Sequence, residues 1–217
     1  MRRVRVKICG ITSEKDLTAT VTAGADAVGF VVNVPSSPRN LTVDKARKLI
    51  RTTPIFVESV AVTVPGNIDS LIKIYEELKP KAIQVHGENV LNFSQIPKTI
   101  LNTHLIRAIS AKSDSVIKTA SEASNSFDAI LLDTYANGKN GGTGTIHNWE
   151  ISKQVRQAIS PKPLILAGGL NPQNVGRAIQ MVQPYAVDVS TGVESSPGIK
   201  DPKKVSEFIE SVRRTET

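Results

Sequence analysis

The amino-terminal segment places a thiol and an ammonium group on one side of an extended chain. Alternate residues of a strand share a face, so Lys7 and Cys9 lie together. The opposite face is apolar and consists of Val4, Val6 and Ile8. We expect the apolar face to pack on helices and the other face to line an interior. An ammonium group favours a neighbouring thiolate, so Cys9 is a candidate base or nucleophile, with an inert buried cysteine as the alternative.

A carboxylate ends a second apolar run, at 129–132. Asp133 comes next and precedes the segment TYANGKNGGTGTIHN at 134–148, which has four glycines and no apolar periodicity. Long segments of this kind are usually functional, although a tolerated surface insertion is the alternative. A carboxylate covered by such a loop loses water and holds its proton more tightly. Asp133 is therefore a candidate general acid, and a helix cap or loop anchor is the alternative.

Two glycine-bearing turns near the carboxyl end have the composition of an anion site. Gly168 and Gly169 follow the apolar run 164–167, and Ser190, Thr191 and Gly192 follow the run 186–189. Glycine lets backbone N–H groups approach an anion closely, and oriented amides bind phosphate. These residues predict a phosphate site, with ordinary tight turns as the alternative.

Further polar side chains are candidates for contacting a substrate. Arg39 follows Ser-Ser-Pro and has the planar donor pair that grips a carboxylate through two hydrogen bonds. Gln84 and His86 share one face of another extended run. Arg107 and Asp188 lie in two further extended runs and are candidates to line the same site as Gln84 and His86. For Arg39 the alternative is a solvated loop residue, and for His86 a structural histidine.

Short β-rich runs alternate with amphipathic helical stretches along the whole chain. Eight runs predict strands: 4–9, 27–32, 56–64, 82–86, 104–109, 128–133, 163–167 and 185–190. Apolar residues at i, i+3, i+4 and i+7 predict helices that include 68–75, 175–182 and 205–212. Ser13, Asn171-Pro172 and Asp201-Pro202 have the composition of helix starts.

Strands that alternate with helices run parallel, because each crossover returns the chain to the same end of the sheet. Eight such units predict an α/β fold with one (β/α)8 barrel spanning residues 1–217. An open doubly wound sheet is the alternative. In a barrel, the loops at the carboxyl ends of the strands form the active site, and the loops after strands seven and eight often bind phosphate. The candidate residues above fall at those ends.

Composition narrows the class of protein. One cysteine excludes an intramolecular disulfide, and the three histidines lack ligand spacing, so we expect no metal and no cofactor. The net charge of +7 comes from scattered bases, and aromatic residues are only 4%, too few for a nucleic-acid stacking surface. We expect a small phosphorylated substrate and no nucleic acid. The lack of 18 consecutive apolar residues predicts no membrane span, and the charged start is unlike a signal peptide, so we expect a cytoplasmic monomer or homodimer.

Together these residues resemble the phosphoribosylanthranilate isomerase family. The resemblance runs from residue 7 to about 201 and rests on short segments in order: KICGIT at 7–12, GF at 29–30, SPR at 37–39, QVHG at 84–87, LLDT at 131–134, GGTG at 141–144, AGGLNPQNV at 167–175, DVSTGVE at 188–194 and PGIKD at 197–201. Each segment is weak alone, but the ordered set at strand ends is specific.

The resemblance implies an Amadori rearrangement in tryptophan biosynthesis without metal or cofactor. It implies Cys9 as general base, Asp133 as general acid and Arg39 as the anchor of the anthranilate carboxylate. The two glycine turns would hold the phosphate. The chain departs from the family pattern at Ser59-Val60-Ala61-Val62, at His147-Asn148-Trp149 and at Thr191, where serine is frequent. These departures affect loop closure and ring packing.

Two rival interpretations remain, and only the second belongs to another class of protein. One is a different phosphosugar enzyme on the same barrel. An aldolase needs a Schiff-base lysine at a strand end, and Lys7 lies two residues too early, while the ligands of a metal-dependent epimerase are missing. The second rival is a non-catalytic protein that binds anions or nucleic acid, which the scattered bases argue against.

Overall fold

A computed structural model of the chain describes residues 3–87, 102–111, 115–134 and 148–215. The strands in these ranges are β1 (Arg5–Cys9), β2 (Ala27–Val32), β3 (Asn40–Leu41), β4 (Glu58–Thr63), β5 (Ala82–Val85), β6 (His104–Ser110), β7 (Ala129–Asp133), β8 (Leu164–Leu166), β9 (Ala186–Val189), β10 (Glu194–Ser196) and β11 (Ile199–Lys200). The helices are α1 (Glu14–Thr22), α2 (Val43–Thr52), α3 (Ile68–Leu78), α4 (Val116–Ser124), α5 (Trp149–Ala158), α6 (Val175–Val182) and α7 (Pro202–Arg213).

The main sheet closes on itself. Its order is β1-β9-β8-β7-β6-β5-β4-β2, and β1 also pairs with β2, so eight parallel strands form a barrel. Closure leaves no free edge among these eight strands. The predicted (β/α)8 barrel is therefore confirmed, and the open sheet is wrong. All eight carboxyl ends point to one mouth, which brings residues distant in sequence together.

Side-chain alternation divides the apolar residues into two cores. Val6, Ile8, Ile130 and Leu132 belong to the larger core between the barrel and its helices. Alternate residues, including Leu131, belong to a smaller core inside the barrel. The interior residues are mostly small or branched, as a narrow barrel requires. Which face a strand residue occupies therefore follows from its parity.

Most predicted elements are confirmed, with shifts of one or two residues at their ends. Three helix predictions correspond to α3, α6 and α7, and Asp201 caps α7 by accepting hydrogen bonds from Lys203 N and Lys204 N at 2.9 and 3.2 Å. Ser13 caps α1 through Asp16 N. The start at Asn171 was wrong by three residues, because Asn171 stabilises a turn by accepting from Gln173 N and Asn174 N, and α6 begins later.

Some sequence predictions fall outside the described residues, and some elements were not predicted. The segment between the fourth and fifth barrel strands, where a helix was expected, is described only to residue 87 and from 102. Most of the glycine-rich segment, 135–147, also lies outside. The β10–β11 hairpin and the two-residue β3 carry no alternating pattern, so periodicity did not reveal them.

Asp26 joins the two ends of the chain at the amino-terminal side of the barrel. Its carboxylate accepts hydrogen bonds from Val6 N at 2.9 Å, Arg213 Nη2 at 3.0 Å and Arg3 Nη2 at 2.8 Å. Arg5 Nη1 is 3.3 Å away. Burial opposes ionisation, but these donors outweigh it and lower the pKa of Asp26. The carboxylate thus ties β1 and α7 together.

We expect Asp26→Asn to reduce the free energy of unfolding at pH 7 by about 1–2 kcal/mol, because the donors lose a charged acceptor that is partly screened by solvent. The native pKa is depressed, so wild-type Asp26 stabilises above its unfolded value near about 4 and loses that contribution as pH falls further. Urea titration across this range measures both effects. Asp44→Asn, at a carboxylate 84% exposed, is the control. An equal loss of unfolding free energy in Asp26→Asn and Asp44→Asn would contradict the stabilising role of Asp26.

Candidate active site

Strand β1 presents Lys7 and Cys9 to the barrel mouth. Cys9 belongs to the interior core, whereas Val6 and Ile8 face the helices. Lys7 is 3% exposed and donates to groups of β5 and β9, which places its ammonium inside as well. The predicted division of faces is confirmed.

A chain of hydrogen bonds crosses the interior from β9 through β1 to β5. Lys7 Nζ donates to Asp188 Oδ1 at 3.0 Å and to Gln84 Oε1 at 2.9 Å. Gln84 Nε2 lies 2.6 Å from His86 Nε2. An ammonium only donates, so it fixes the amide oxygen of Gln84 toward Lys7 and the amide N–H toward His86. Nε2 of His86 then accepts, and its ring proton is on Nδ1.

His86 is neutral in this network. Burial, together with the positive charges of Lys7 and Arg107, lowers the pKa of His86 to about 4. Arg107 donates through Nη2 to the carbonyl oxygen of Gly87, and burial lowers its pKa. His86 and Arg107 therefore both lie at the mouth, as predicted. The hydrogen bond to Gln84 gives His86 a structural role.

The ionisation of Cys9 differs from the sequence expectation. The prediction that Lys7 favours the thiolate has the right sign for that pair, because Lys7 and Lys200 both lower the pKa of Cys9. Burial is the larger effect, and Asp188 adds to it, so the net pKa is raised above its ordinary value. At neutral pH the free protein therefore holds Cys9 mainly as a thiol, and the expected thiolate is corrected.

Asp133 is the last residue of β7. It is the next alternate residue after Ala129 and Leu131, which face the barrel interior, so it lies on the same face of the strand. Burial is the main cause that raises the pKa of Asp133 to about 6, and the negative charge of Asp188 contributes. The direction of this shift agrees with the predicted protonated carboxyl, but the loop predicted to cover it lies mostly outside the described residues, and the catalytic role of Asp133 stays a prediction. Two strands, β9 and β8, separate β1 from β7 on the shorter path around the barrel. The thiol and the carboxyl thus approach the mouth from different sides.

Gly29 makes room for the side chains of Cys9 and Lys7. Its Cα is in register with Cys9. A Cβ at Gly29 would lie 2.8 Å from Cys9 Sγ and 3.2 Å from Lys7 Nζ. Real Cβ atoms do not approach a sulfur so closely, so a side chain here would displace both groups. Gly29 is a site residue for which the sequence analysis assigned no role.

The two predicted glycine turns meet at the mouth. Gly168 and Gly169 have φ of +85° and +66°, a region that glycine enters without strain. Gly192 lies so close to Leu170 O that a Cβ there would overlap the carbonyl. Within the described ranges, the N–H groups of Gly168, Gly169 and Gly192 have no protein acceptor. The two turns that were singled out by their composition thus present backbone N–H donors that no acceptor in the described ranges occupies.

Ser190 and Thr191 begin a 3-10 turn, Thr191–Val193, on the same side. The N–H of Thr191 has no acceptor in the described part of the chain, but its hydroxyl accepts from Arg39 Nη2 at 3.0 Å. Ser190 contacts Lys200, whose Nζ lies 3.2 Å from its carbonyl oxygen. The departure from serine at Thr191 is therefore compatible with an internal hydrogen bond.

Arg39 lies at the mouth, but its donor pair is already occupied. Nε and Nη2 donate to Glu194 Oε1 and Oε2 at 2.8 and 2.6 Å. The expectation that this pair would be free for a substrate carboxylate is wrong, since a protein carboxylate fills it. The stem of Arg39 passes over Gly10, where a Cβ would lie 2.6 Å from Cδ. Arg39 is thus adjacent to the residue that follows Cys9.

Glu194 and Lys200 are site residues to which the sequence analysis gave no role. Both stand in the family-like segments at 188–201, and their opposite charges six residues apart were the available signal. Lys200 Nζ donates to Glu194 Oε1 at 2.9 Å, and its side chain is fully buried. Hydrogen bonds from Arg39 and Lys200 outweigh burial and lower the pKa of Glu194.

The other departures from the family pattern also have structural positions. Val60 and Val62 of β4 fill the barrel interior. Asn148 caps α5 by accepting from Glu150 N at 3.0 Å, and Trp149 is buried in the first turn. His147 lies outside the described residues. Of these departures, Val60, Val62 and Trp149 thus fill buried space, and Asn148 caps a helix.

Neither a metal cluster nor a membrane helix occurs in the described ranges. No group of three His, Cys, Asp or Glu side chains there could hold a metal ion. No helix there has the length and apolar character that a membrane crossing needs. A cavity of about 300 Å³ lies at the opposite, amino-terminal face, next to Ile50, Pro54, Ile55 and Leu78, far from the mouth residues.

The chain is similar over nearly its whole length to proteins of one family. The sequence pattern of the N-(5'-phosphoribosyl)anthranilate (PRA) isomerase family matches residues 6–211. A protein of Methanothrix thermoacetophila named N-(5'-phosphoribosyl)anthranilate isomerase is 43% identical over 209 residues, which are 96% of this chain and 98% of that protein.

Solved structures give the same result. One is a PRA isomerase in complex with reduced 1-(o-carboxyphenylamino)-1-deoxyribulose 5-phosphate, with 34% identity, a TM-score of 0.82 and coverage of 97% of this chain and 99% of that chain. Another shows monomers generated from the dimeric PRA isomerase of Thermotoga maritima, with 34% identity, a TM-score of 0.83 and the same coverage. The family match over nearly the whole chain and the relative at 43% identity show that this chain belongs to the N-(5'-phosphoribosyl)anthranilate isomerase family.

Proposed function

We propose that Cys9 and Asp133 are the general base and general acid with which this chain carries out the reaction of its family. That reaction converts N-(5'-phosphoribosyl)anthranilate to 1-(2-carboxyphenylamino)-1-deoxyribulose 5-phosphate in tryptophan biosynthesis. The observation that carries the assignment is the pair itself: a thiol on β1 and a carboxyl with a pKa of about 6 on β7, both at the mouth.

The reaction needs one proton delivered and one removed. Protonated Asp133 donates to the furanose ring oxygen, the C1–O bond breaks, and the anilino nitrogen supplies electrons to form a Schiff base. The thiolate of Cys9 then takes the proton from C2, and the electron pair of that bond forms the enolamine. An acid and a base on different sides of the sugar serve both steps. Asp133 ends as a carboxylate and Cys9 as a thiol, and solvent restores both.

We infer that the two glycine turns bind the phosphate. The N–H groups of Gly168, Gly169, Thr191 and Gly192 are available at the loops after β8 and β9, where barrels often bind phosphate. Lys7, Gln84 and His86 line the interior beneath the sugar, and Ser190 supports the second turn. Arg39 is the candidate for the anthranilate carboxylate, through Nη1, the nitrogen that Glu194 and Thr191 leave without a bond in the described structure.

The expected partner is this small phosphorylated substrate, and no nucleic acid. The cytoplasm is the proposed compartment, because a reducing environment keeps the lone Cys9 available as a thiol. An assay with freshly prepared N-(5'-phosphoribosyl)anthranilate tests the function, since its fluorescence decays faster when turnover occurs. Decay at the spontaneous rate with enzyme present would reject the function.

We also propose that the chain forms a homodimer through its amino-terminal face. Ile55 and Phe56 are adjacent and 83% and 94% exposed, which is unusual for two large apolar residues. They lie beside the 300 Å³ cavity of that face. In a dimer with a two-fold axis at this face, Ile55 and Phe56 of each copy would pack against the cavity of the other copy. The Thermotoga maritima relative is described as dimeric, and this arrangement leaves both mouths open.

We expect Cys9→Ala and Asp133→Asn each to lower kcat by roughly 10²-fold or more, the usual loss for a positioned acid or base. Asp128→Asn, at the other end of the same strand segment, is the control and should keep wild-type turnover. Steady-state kinetics with each purified variant measures the effect. Near-normal kcat in Cys9→Ala would move the base to another residue.

The pH profile of kcat/KM should be bell-shaped. Its acid limb should report the pKa of Asp133, the general acid, and its alkaline limb the pKa of Cys9, the general base. The active form needs thiolate and carboxylic acid together, yet the pKa of Asp133 is about 6 and that of Cys9 is higher. This form is therefore a minor fraction of the free enzyme at every pH, and it is most populated between the two pKa values. Asp133 therefore sets the acid limb near pH 6. In residual Asp133→Asn activity the acid limb should move up to the pKa of Cys9, so a limb that stays near pH 6 would contradict this.

Asp133→Asn should stabilise the fold while it lowers activity. The native pKa is raised from 3.8 to about 6, so wild-type stability is fully present below the unfolded value and is lost as pH rises through 6. Asparagine resembles the neutral acid. We expect equal stability near pH 3.5 and a gain of up to about 3 kcal/mol at pH 8, from denaturant titration. A variant less stable than wild type at pH 8 would show that Asp133 is not a strained, buried acid.

Phe56→Asp should convert the homodimer to a monomer of 23.4 kDa and leave kcat within about twofold of wild type, because a charge cannot be buried in an apolar interface. Sedimentation measures the mass. Ile117→Asp, at a partly exposed apolar residue of α4, is the control. A monomeric wild type, or a Phe56→Asp dimer, would reject the proposed interface.

A further inference from the structure

Arg39, Glu194 and Lys200 form a buried ionic cluster at the mouth. Arg39 and Glu194 are each 7% exposed and Lys200 is 3% exposed. Glu194 accepts from Arg39 Nε and Nη2 and from Lys200 Nζ, at 2.6–2.9 Å. Two cations share one carboxylate, so the cluster keeps one net positive charge. A buried surplus charge is costly unless something compensates it.

The β10–β11 hairpin carries this cluster and is fastened to the loops of the mouth. Glu194 and Lys200 are cross-strand partners in the hairpin. Gly198 in its turn accepts at the carbonyl from Thr12 Oγ1 at 2.6 Å, and its backbone lies against the carbonyl of Pro38. The hairpin thus bridges the loops after β1 and β2 and fixes where Arg39 is held.

The contacts of Arg39 determine which nitrogen remains for a ligand. Nε and Nη2 bind Glu194, and Nη2 also donates to Thr191 Oγ1 at 3.0 Å. Among the described residues, Nη1 has no acceptor. A ligand carboxylate therefore meets an arginine whose long side chain is already ordered, so binding does not cost the rotamer entropy of a free arginine side chain.

We propose that Glu194 is a positioning residue for carboxylate recognition: it holds the Arg39 guanidinium at the mouth so that Nη1 and the surplus charge of the cluster receive the aryl carboxylate of the substrate. The proposal rests on the proposed function, because that substrate supplies the carboxylate. Lys200 balances Glu194 and is not itself a ligand. Glu194 acts through Arg39 and touches no reacting atom.

The test uses a pair of substitutions that keeps the charge of the cluster. Glu194→Gln with Lys200→Met leaves one net positive charge on Arg39 but removes the ionic grip. We expect KM to rise about tenfold and kcat to change less than threefold, because carboxylate anchoring acts in ground and transition states alike. Glu210→Gln, at an exposed residue of α7, is the control and should behave as wild type.

A thermodynamic cycle separates positioning from general structural damage. In the wild-type background Arg39→Ala should raise KM at least tenfold. In the Glu194→Gln, Lys200→Met background the same change should raise KM less than threefold, since the ordered guanidinium is already lost. An analogue without the carboxylate, N-(5'-phosphoribosyl)aniline, should show no KM difference between wild type and the paired variant.

Three results would overturn the proposal while the wild type turns over its substrate. They are an unchanged KM in the paired variant, a full Arg39→Ala effect in that background, and an equal rise of KM for the aniline analogue. If the paired variant does not fold, Glu194→Asp, which keeps the charge but shortens the reach, should raise KM by a smaller factor, and an unchanged KM there overturns the proposal. A wild type that does not turn over the substrate rejects the proposed function and this role together.

Discussion

The buried ion pair between Lys7 and Asp188 is the interaction on which the mouth of the barrel depends. Two buried charges of opposite sign are stable only when close and fully hydrogen-bonded, and removing either partner would leave the other uncompensated. Lys7 satisfies this condition by donating to Asp188 and to Gln84. The direction of the Gln84 amide, and through it the tautomer of His86, then follows. One ammonium group thus orders side chains from three strands of the barrel.

The same pair sets the electrostatics of the proposed acid and base. Burial is the main cause that raises the pKa of both Asp133 and Cys9; Asp188 raises both further, while Lys7 lowers both. The free site therefore favours the thiol and an ionised Asp133 at neutral pH, the reverse of what the chemistry needs. A bound phosphate would add negative charge near the mouth, which favours the protonated acid but also the thiol. The proposed active form, with a thiolate and a carboxylic acid, thus needs Lys7 to offset negative charge at Cys9.

Parity and composition made the barrel and the direction of Cys9 predictable. The apolar residues Val6 and Ile8 required one face of β1 to meet helices, and only the opposite face remained for Lys7 and Cys9. The sign of the Cys9 pKa was not predictable, because it depends on how deeply the mouth excludes water. Nor was the Arg39–Glu194 pair, which is 155 residues apart in sequence and exists only after a short hairpin without periodicity folds over the mouth.

The two proposed anion subsites differ in construction, and Thr191 connects them. The phosphate subsite consists of backbone N–H groups on tight turns, which cannot change rotamer and suit a doubly charged, symmetric group. The carboxylate subsite uses a long side chain, which must be held in place. Thr191 contributes its N–H to the first and accepts from Arg39 Nη2 in the second. The turn that would present its N–H groups to the phosphate therefore also helps to hold the guanidinium of Arg39 in place before any ligand binds.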